Sequence, residues 1–479
     1  MTIEGLPTEV LLNIFGHYLD ASPRFWTRLV HICRKWRHVV FASQRSLHIR
    51  LFCTYGTPVL NALGCWPDLP IVLQYGGTPE LDPPTPEDED NIMAALKQSD
   101  RVISIHLTVT NTFLKKLSAF NRPVSGLEEL VLFSRDSPRL ILSDAFGWGT
   151  RLRVLHLTRI AVSNLHSNLY YSWRLVDLQL HEVISPWYLS LEALTDALLV
   201  STQLQSLSLH FLPTTDDIGI SLPSRGRAYL PALTRLHFQG ITKHLEDLVV
   251  GIDAPYLGDL KITILDKLPI SHSSKLNEFI SRIEIHKAVR RVGILFSERA
   301  ISISFIQPGA PTCLEIQLLG ESLSESEQLS YIGLVCNDLS VFLSVVEDLR
   351  ISTTRQSRQD DSLDGLWALW LRPLNSFKGV KWFHVAGNLS KNIVRTLEEA
   401  HRTGTHLLPA MRKLYIPRLE PRHVPLSEVL VSFMISRRQS GRYIAVEYER
   451  QCHTSDSELR EAGILYAKCY DRSSLIHLE

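Results

Sequence analysis

The chain has 479 residues, 45% of them hydrophobic and 21% charged, an ordinary folded composition that argues against disorder and leaves room for two or more domains. Lysine plus arginine and aspartate plus glutamate stand at 50 each, so no bulk positive charge marks a nucleic-acid partner. There is no apolar run of about 18 residues and no charged-then-apolar leader, and seven scattered cysteines without a Cys-x-x-Cys pair fit a reducing compartment. An intracellular protein, cytoplasmic or nuclear, with no membrane partner is expected.

The first elements are helical. Pro7 suits a first helical turn and Glu9 its positive end, while Leu11, Ile14, Phe15, Tyr18 and Leu19 recur as one helical stripe. Ser22-Pro23 repeats the start signal, and Trp26, Leu29, Val30 and Cys33, continued by Trp36 and Val40, make a second stripe. The spacing predicts a short helical hairpin. A segment this small, near the lower limit of about 40 residues for independent folding, needs a surface on which to bury these side chains. That surface belongs either to the rest of the chain, making the hairpin a cap, or to another protein.

The pattern Leu6-Pro7-x-Glu9, the apolar helix through Leu19 and the closing Cys33-Arg34-Lys35-Trp36-Arg37 resemble an F-box over roughly residues 4–45. Asp20–Phe25 is longer and more aromatic than the usual link between F-box helices. The resemblance implies docking on the Skp-type adaptor of a cullin–RING ubiquitin ligase. The residues it assigns to that contact are Leu6, Pro7, Glu9, Leu11, Ile14, Phe15, Leu29, Val30, Cys33 and Trp36.

Beyond the hairpin, residues 47–75 read as strand, helix over Pro58–Cys65 and strand over Ile71–Tyr75, stopped by Gly76-Gly77. The tract PELDPPTPEDED follows as a linker. Within it Thr85-Pro86 and four acids make a helix start, and neither the alternating ligands nor the turn glycine of a calcium loop is present. From Val102 a hexad L-x-x-L-x-L recurs at Leu127, Leu152, Leu175, Leu204, Leu233 and Leu257, in steps of 23 to 29 residues. That is the period of leucine-rich repeats, with helical stretches such as Ser190–Ser201 between strands. Looser cores begin at Val289, Val346, Val380 and Met411, where the widened gaps imply insertions or missed repeats. The usual asparagine after the hexad is replaced by Thr110, Arg135, Ile160, Val183, Leu212 and Ile241, so the repeats are degenerate.

The fold expected is α/β: an N-terminal helical F-box followed by a curved leucine-rich-repeat solenoid with a parallel inner sheet. Its divisions are residues 1–46 as F-box and 47–90 as connecting segment, first solenoid element and Pro/acid linker. Residues 91–420 are the degenerate solenoid and 421–479 a C-terminal cap and polar tail. An F-box followed by such repeats is similar to the expanded F-box family of mushroom-forming (basidiomycete) fungi.

Few motifs suggest chemistry. There is no G-x-S-x-G, P-loop or H-E-x-x-H, Gly147-Trp148-Gly149 reads as a loop, and Trp367 with Trp370 reads as helix core. Arg437, Arg438 and Arg442 read as solvated surface. In each hexad the residues beside the inward leucines face the opposite side of the sheet. The middle position carries His106, Val131, His156, Gln179, Ser208, His237 and Lys261, and the next outward one Thr108, Phe133, Thr158, His181, His210, Gln239 and Thr263. These are either ordinary solvated positions or a pH-sensitive face for a target protein. The candidate target-binding residues are His106, His156, Gln179, His181, His210, His237 and Lys261. His181 and His210 would be neighbours about 5 Å apart, without a third ligand for a metal. No metal or cofactor is expected.

The function these features imply is substrate recognition within a Skp–cullin–F-box ubiquitin ligase, by a subunit that makes no bonds itself. A non-degradative leucine-rich-repeat scaffold is the alternative, and an irregular catalytic site in the solenoid stays open on the sequence alone.

Overall fold

Each apolar hexad becomes the same piece of structure: a buried leucine just ahead of a strand, then two more pointing from the strand into the helix-covered side. Leu127, Leu130 and Leu132 are all buried in this way, as are Leu152, Leu155 and Leu157. A computed structural model describes residues 6–66, 68–78, 81–120, 122–136, 141–142, 150–162, 165–183, 191–212, 226–265, 274–284, 289–307, 312–320, 324–354, 367–385, 389–416 and 424–448. Gly147-Trp148-Gly149 and the polar tail beyond Tyr448 lie outside the described residues. The fold is mixed α/β, in two compact units, Met1–Ala232 and Leu233–Glu479.

The first unit opens with α1 (Thr8–Ala21), α2 (Trp26–Val30), α3 (Arg34–Ala42), β1 (Leu51–Thr54), α4 (Val59–Cys65), β2 (Ile71–Tyr75) and α5 (Pro86–Leu96). It continues with β3 (Val102–Val109), α6 (Asn111–Ser118), β4 (Glu129–Ser134), β5 (Ile141–Leu142), β6 (Val154–Thr158) and β7 (Ala161–Val162). It ends with α7 (Leu165–Tyr170), β8 (Asp177–Val183), α8 (Leu191–Leu198), β9 (Ser206–Phe211) and β10 (Ala228–Tyr229). Strands β1, β2, β3, β4, β6, β8 and β9 pair in that order, every pair parallel. Parallel neighbours cannot be joined by a tight turn, which is why a crossover segment stands between successive strands. The leucines stay in register across the ladder: Leu130 opposes Leu155, which opposes Leu178, which opposes Leu207.

At the N-terminus the expected hairpin is three helices. Pro7 stands one place before the first helical residue, its carbonyl accepting the Leu11 N–H at 3.1 Å. After a 3₁₀ turn over Pro23–Phe25, α2 ends at Val30 because Cys33 is extended (φ −154°, ψ 170°) and caps the next helix. Its Sγ accepts the Trp36 N–H at 3.4 Å, so the second apolar stripe is two helices rather than one. The acidic tract does start α5 as its residues predict. Thr85 and Asp88 form a reciprocal capping box with Pro86 at the first helical position, and buried Asp88 also accepts the Gly56 N–H.

The second unit contains β11 (Arg235–Gly240), α9 (Thr242–Gly251), β12 (Ile252–Asp253), β13 (Asp259–Ile264), α10 (Ser274–Arg282), β14 (Arg291–Phe296), β15 (Ala300–Ile306) and β16 (Thr312–Leu319). It goes on through α11 (Glu325–Asp338), α12 (Ser340–Leu343), β17 (Asp348–Thr353), α13 (Trp367–Asn375), β18 (Trp382–Val385), α14 (Leu389–Arg402), β19 (Lys413–Ile416), α15 (Val424–Gln439) and β20 (Ala445–Tyr448). Its ladder departs from an all-parallel one. β15 turns back on β14 through Ser297–Ala300 and runs antiparallel to both β14 and β16, while β16 pairs in parallel with β13. The four-residue return leaves no room for a crossover helix, so the pair forms a hairpin. This insertion accounts for the wide gap after Val289. Trp370 is fully buried against Phe296, with ring centroids 5.4 Å apart, as helix core. Arg437, expected on the surface, is instead buried over Phe433 and donates to the Met411 carbonyl at 3.3 Å.

Gly76 follows β2 with φ +109°, and a Cβ there would meet Thr108 Oγ1 at 2.1 Å. Gly76→Ala is therefore expected to cost at least about 2 kcal/mol, from left-handed backbone strain and overpacking together. Gly77→Ala, whose added carbon would meet its nearest neighbour at 3.3 Å, should cost less. Urea midpoints of the two variants check this ordering.

Candidate functional site

Two surfaces carry the residues singled out by the sequence. On the first, Leu11, Phe15 and Leu19 form the inward stripe of α1, and Phe15 packs on Trp36 of α3 with ring centroids 4.7 Å apart. Lys35 Nζ donates to the Leu6 carbonyl at 2.7 Å and Arg37 Nε to the Val30 carbonyl at 2.9 Å, tying both ends of the cluster to α3. The cluster is also fixed to the sheet. Trp26 Nε1 donates to the Arg50 carbonyl at 2.8 Å, and Trp26 and Phe41 each lie 5.2 Å from the Trp66 ring, Trp26 edge-on.

Of the residues that the resemblance assigns to adaptor contact, Leu11, Phe15, Leu29 and Val30 are buried among the chain's own side chains. Leu6, Cys33 and Trp36 are half-buried, and Pro7, Glu9 and Ile14 are exposed. Exposed beside them are Val10 (40%), Phe25 (40%) and Ile32 (58%), which the sequence reading did not single out. Pro7, just ahead of α1, and Val10 and Ile14 on it are spaced at i, i+3 and i+7, one outward stripe. The signal was in the periodicity, since α1 has apolar residues on two faces and only the face of Leu11, Phe15 and Leu19 is buried.

The second surface is the side of the sheet away from the buried leucines. In the first unit His106, Val131, His156, Gln179 and Ser208 lie in one row, each the cross-strand partner of the next. Thr108, Phe133, Thr158, His181 and His210 form the next row. The rings of His181 and His210 meet edge-on at 6.1 Å, and His181 Nε2 shares a 2.7 Å hydrogen bond with Ser208 Oγ. In the second unit His237, Lys261 and Glu315 are in register. Thr108 and Phe133, expected to be open, are buried. Over Thr108 the loop Gly76–Thr78 is responsible: Gly77 N–H donates to Thr108 Oγ1 at 3.0 Å, and Thr108 Oγ1 donates to the Thr78 carbonyl at 3.3 Å.

Sequence reasoning missed the partners of these histidines. His106 Nε2 donates to Glu129 at 3.3 Å, His156 Nε2 to Asp177 at 2.9 Å, and His237 Nε2 to Asp259 at 3.0 Å. In each pair the histidine is the fifth residue of one hexad and the acid the third residue of the next, a legible rule once the register is known. Buried Asp348 plays the same part in the second unit, with Arg291 at 2.7 Å, Arg350 at 3.4 Å and His384 at 3.6 Å.

These pairings set the charge states. The hydrogen bond from His106 holds Glu129 below the usual carboxylate range despite its burial, helped by Ser104. Burial pushes Asp177 up, but bonds from His156, Ser206 and Gln179 outweigh it and the net direction is down. Burial draws His210 below the usual imidazole range against the pull of Glu182. It does the same to His384, against Asp348 and with help from Arg350, Lys413 and Arg291. Burial also raises the Cys53 thiol to about 11, keeping it protonated and inert at neutral pH. Among the described residues no cluster of three or more His, Cys, Asp or Glu is placed to hold a metal ion, and no helix is long and apolar enough to cross a membrane.

A family model described as F-box-like matches residues 3–54. The match covers α1, α2, α3 and β1, so the N-terminal helices and the strand they lean on make up an F-box-like domain. No curated protein matches the chain.

The depressed His210 gives a signed prediction. Folding prefers its neutral form, so stability is whole above about pH 6.5 and declines as pH falls through that value toward the lower folded-state pKa. Melting temperatures measured from pH 7.5 to 5.0 should fall further for wild type than for His210→Gln; parallel curves would contradict the assignment.

Proposed function

We propose that this chain is the substrate-recognition subunit of a Skp–cullin–F-box ubiquitin ligase. It docks the Skp-type adaptor through its N-terminal helices and holds a target protein on its repeat-like sheet. The observation that carries the reading is the F-box-like match over residues 3–54, on helices that expose an apolar stripe rather than covering it. Exposed contiguous apolar surface of this kind marks a protein contact.

In this role the ten residues named by the F-box resemblance divide the work. Leu11, Phe15, Leu29 and Val30 hold the helices together, and Pro7, Glu9 and Ile14 meet the adaptor, flanked by Leu6, Cys33 and Trp36. Val10 and Ile32 extend the contact. The subunit forms and breaks no bond. It raises the effective concentration of a target lysine near a ubiquitin-loaded enzyme by holding both in one assembly.

The test is co-expression with the Skp-type adaptor and size-exclusion chromatography of wild type and a Val10→Glu/Ile14→Glu variant. Both side chains point outward, at 40% and 46% exposure, so the melting temperature should hardly move. Wild type is expected to elute as a one-to-one complex, and the variant to lose at least about ten-fold in affinity, the scale of a hot-spot loss. A wild type that elutes alone would overturn the reading. A variant that still binds fully would move the contact off α1.

A further inference from the structure

On the open sheet face His156 is hydrogen-bonded to Asp177 and Arg291 is paired with Asp348, both from within the chain. The starting ends of β6, β8 and β9 differ. There Arg153, Trp173, Arg174, Val176, Gln203 and Gln205 are among the residues lining an open cleft of about 600 Å³. Among the described residues its lining holds two arginines and no carboxylate. Among the described residues neither guanidinium is in an ion pair, although Glu128 stands next to Arg153 across the ladder.

The cleft is held open by the fold. Arg153, Val176 and Gln205 are each the second residue of a hexad, and their backbones are pinned in sequence: Val176 N–H donates to the Arg153 carbonyl and Gln205 N–H to the Val176 carbonyl, each at 2.8 Å. Arg174 lies over the Trp173 ring, its Cζ 4.7 Å from the centroid. A guanidinium held over a ring face keeps N–H groups for a bidentate acceptor. Tyr170, Tyr171 and Trp173 follow one another along the chain at 56%, 62% and 44% exposure, and the two tyrosine rings meet edge-on at 5.8 Å. Tyrosine, tryptophan and arginine together are the composition that dominates protein-binding hot spots.

We propose that this cleft binds an acidic segment of a protein partner, Arg153 and Arg174 taking a carboxylate or phosphoryl group while Trp173 covers the side chain beside it. The site lies on the edge of the sheet, away from the histidine rows. It rests on the target-holding role proposed above for the ligand's being a protein. A nucleic acid fits less well, since the chain is neutral overall and a long polyanion calls for a more extended basic surface than two arginines.

The experiment uses the full chain and three fluorescein-labelled twelve-residue peptides on one Gly/Ser/Leu scaffold, bearing four glutamates, two phosphoserines or four lysines. Fluorescence anisotropy is read for wild type, Arg153→Gln/Arg174→Gln, and the charge-matched control Arg299→Gln/Lys378→Gln. At least one acidic peptide should bind wild type, the lysine peptide should not, and the cleft variant should lose at least about ten-fold where the control loses little. The ratio of glutamate to phosphoserine affinity identifies the source of the anion. Acidic peptides binding no better than the lysine peptide, or equal losses in both variants, would overturn the proposal. So would a labelled single-stranded RNA that binds the cleft more tightly than either peptide. Adaptor co-elution of wild type separates the two readings: peptide binding without adaptor binding strikes the ligase role alone, and adaptor binding without peptide binding strikes the cleft alone.

Discussion

The rest of the structure depends on the buried leucine columns. A parallel strand must be followed by a crossover, and the crossover must find an apolar face to cover. The first, fourth and sixth residues of each hexad supply that face, buried in column after column. Truncating one buried leucine to alanine in such a core typically costs about 2–5 kcal/mol. Once these columns fix the register, every other hexad position has a set address. The fifth residue of one hexad meets the third of the next, which is how His156 finds Asp177, and the second residues line the starting edge of the sheet.

The N-terminal helices use that rigidity. Trp26 is bonded to the Arg50 carbonyl at the edge of β1, and Trp26, Phe41 and Trp66 pack as an aromatic joint within the first unit. The outward stripe of α1 is thus held at a fixed pose on the strands it precedes. In the proposed role this joint matters as much as either contact. Proximity works only if the held target and the docked adaptor keep a steady separation, and a loose tether would dilute one against the other.

Much of the fold was legible because leucine spacing and strand register are the same fact. Every hexad named from the sequence becomes a paired strand: β3 begins at Val102 itself, and each later strand starts two residues into its hexad, down to β19 after Met411. What escaped was governed by contacts distant in sequence. The hairpin of β14 and β15 breaks the period with an alternating strand that carries no leucine hexad. The loop Gly76–Thr78 buries Thr108, a position that local alternation leaves open. Cys33 splits an apolar stripe by capping through its sulfur, a role its residue type rarely signals. The histidine row could be read, but not its hydrogen-bond partners, because the carboxylates sit one repeat away. Arg153 and Arg174 look like scattered surface arginines until the strand starts are aligned.

The most direct test of the central claim is hydrogen–deuterium exchange of the full chain with and without the Skp-type adaptor. Slowed exchange confined to peptides within residues 6–42, with the strands from β3 to β13 unchanged, is the result this account predicts. Protection on the sheet with none on α1, or no protection at all, would contradict it.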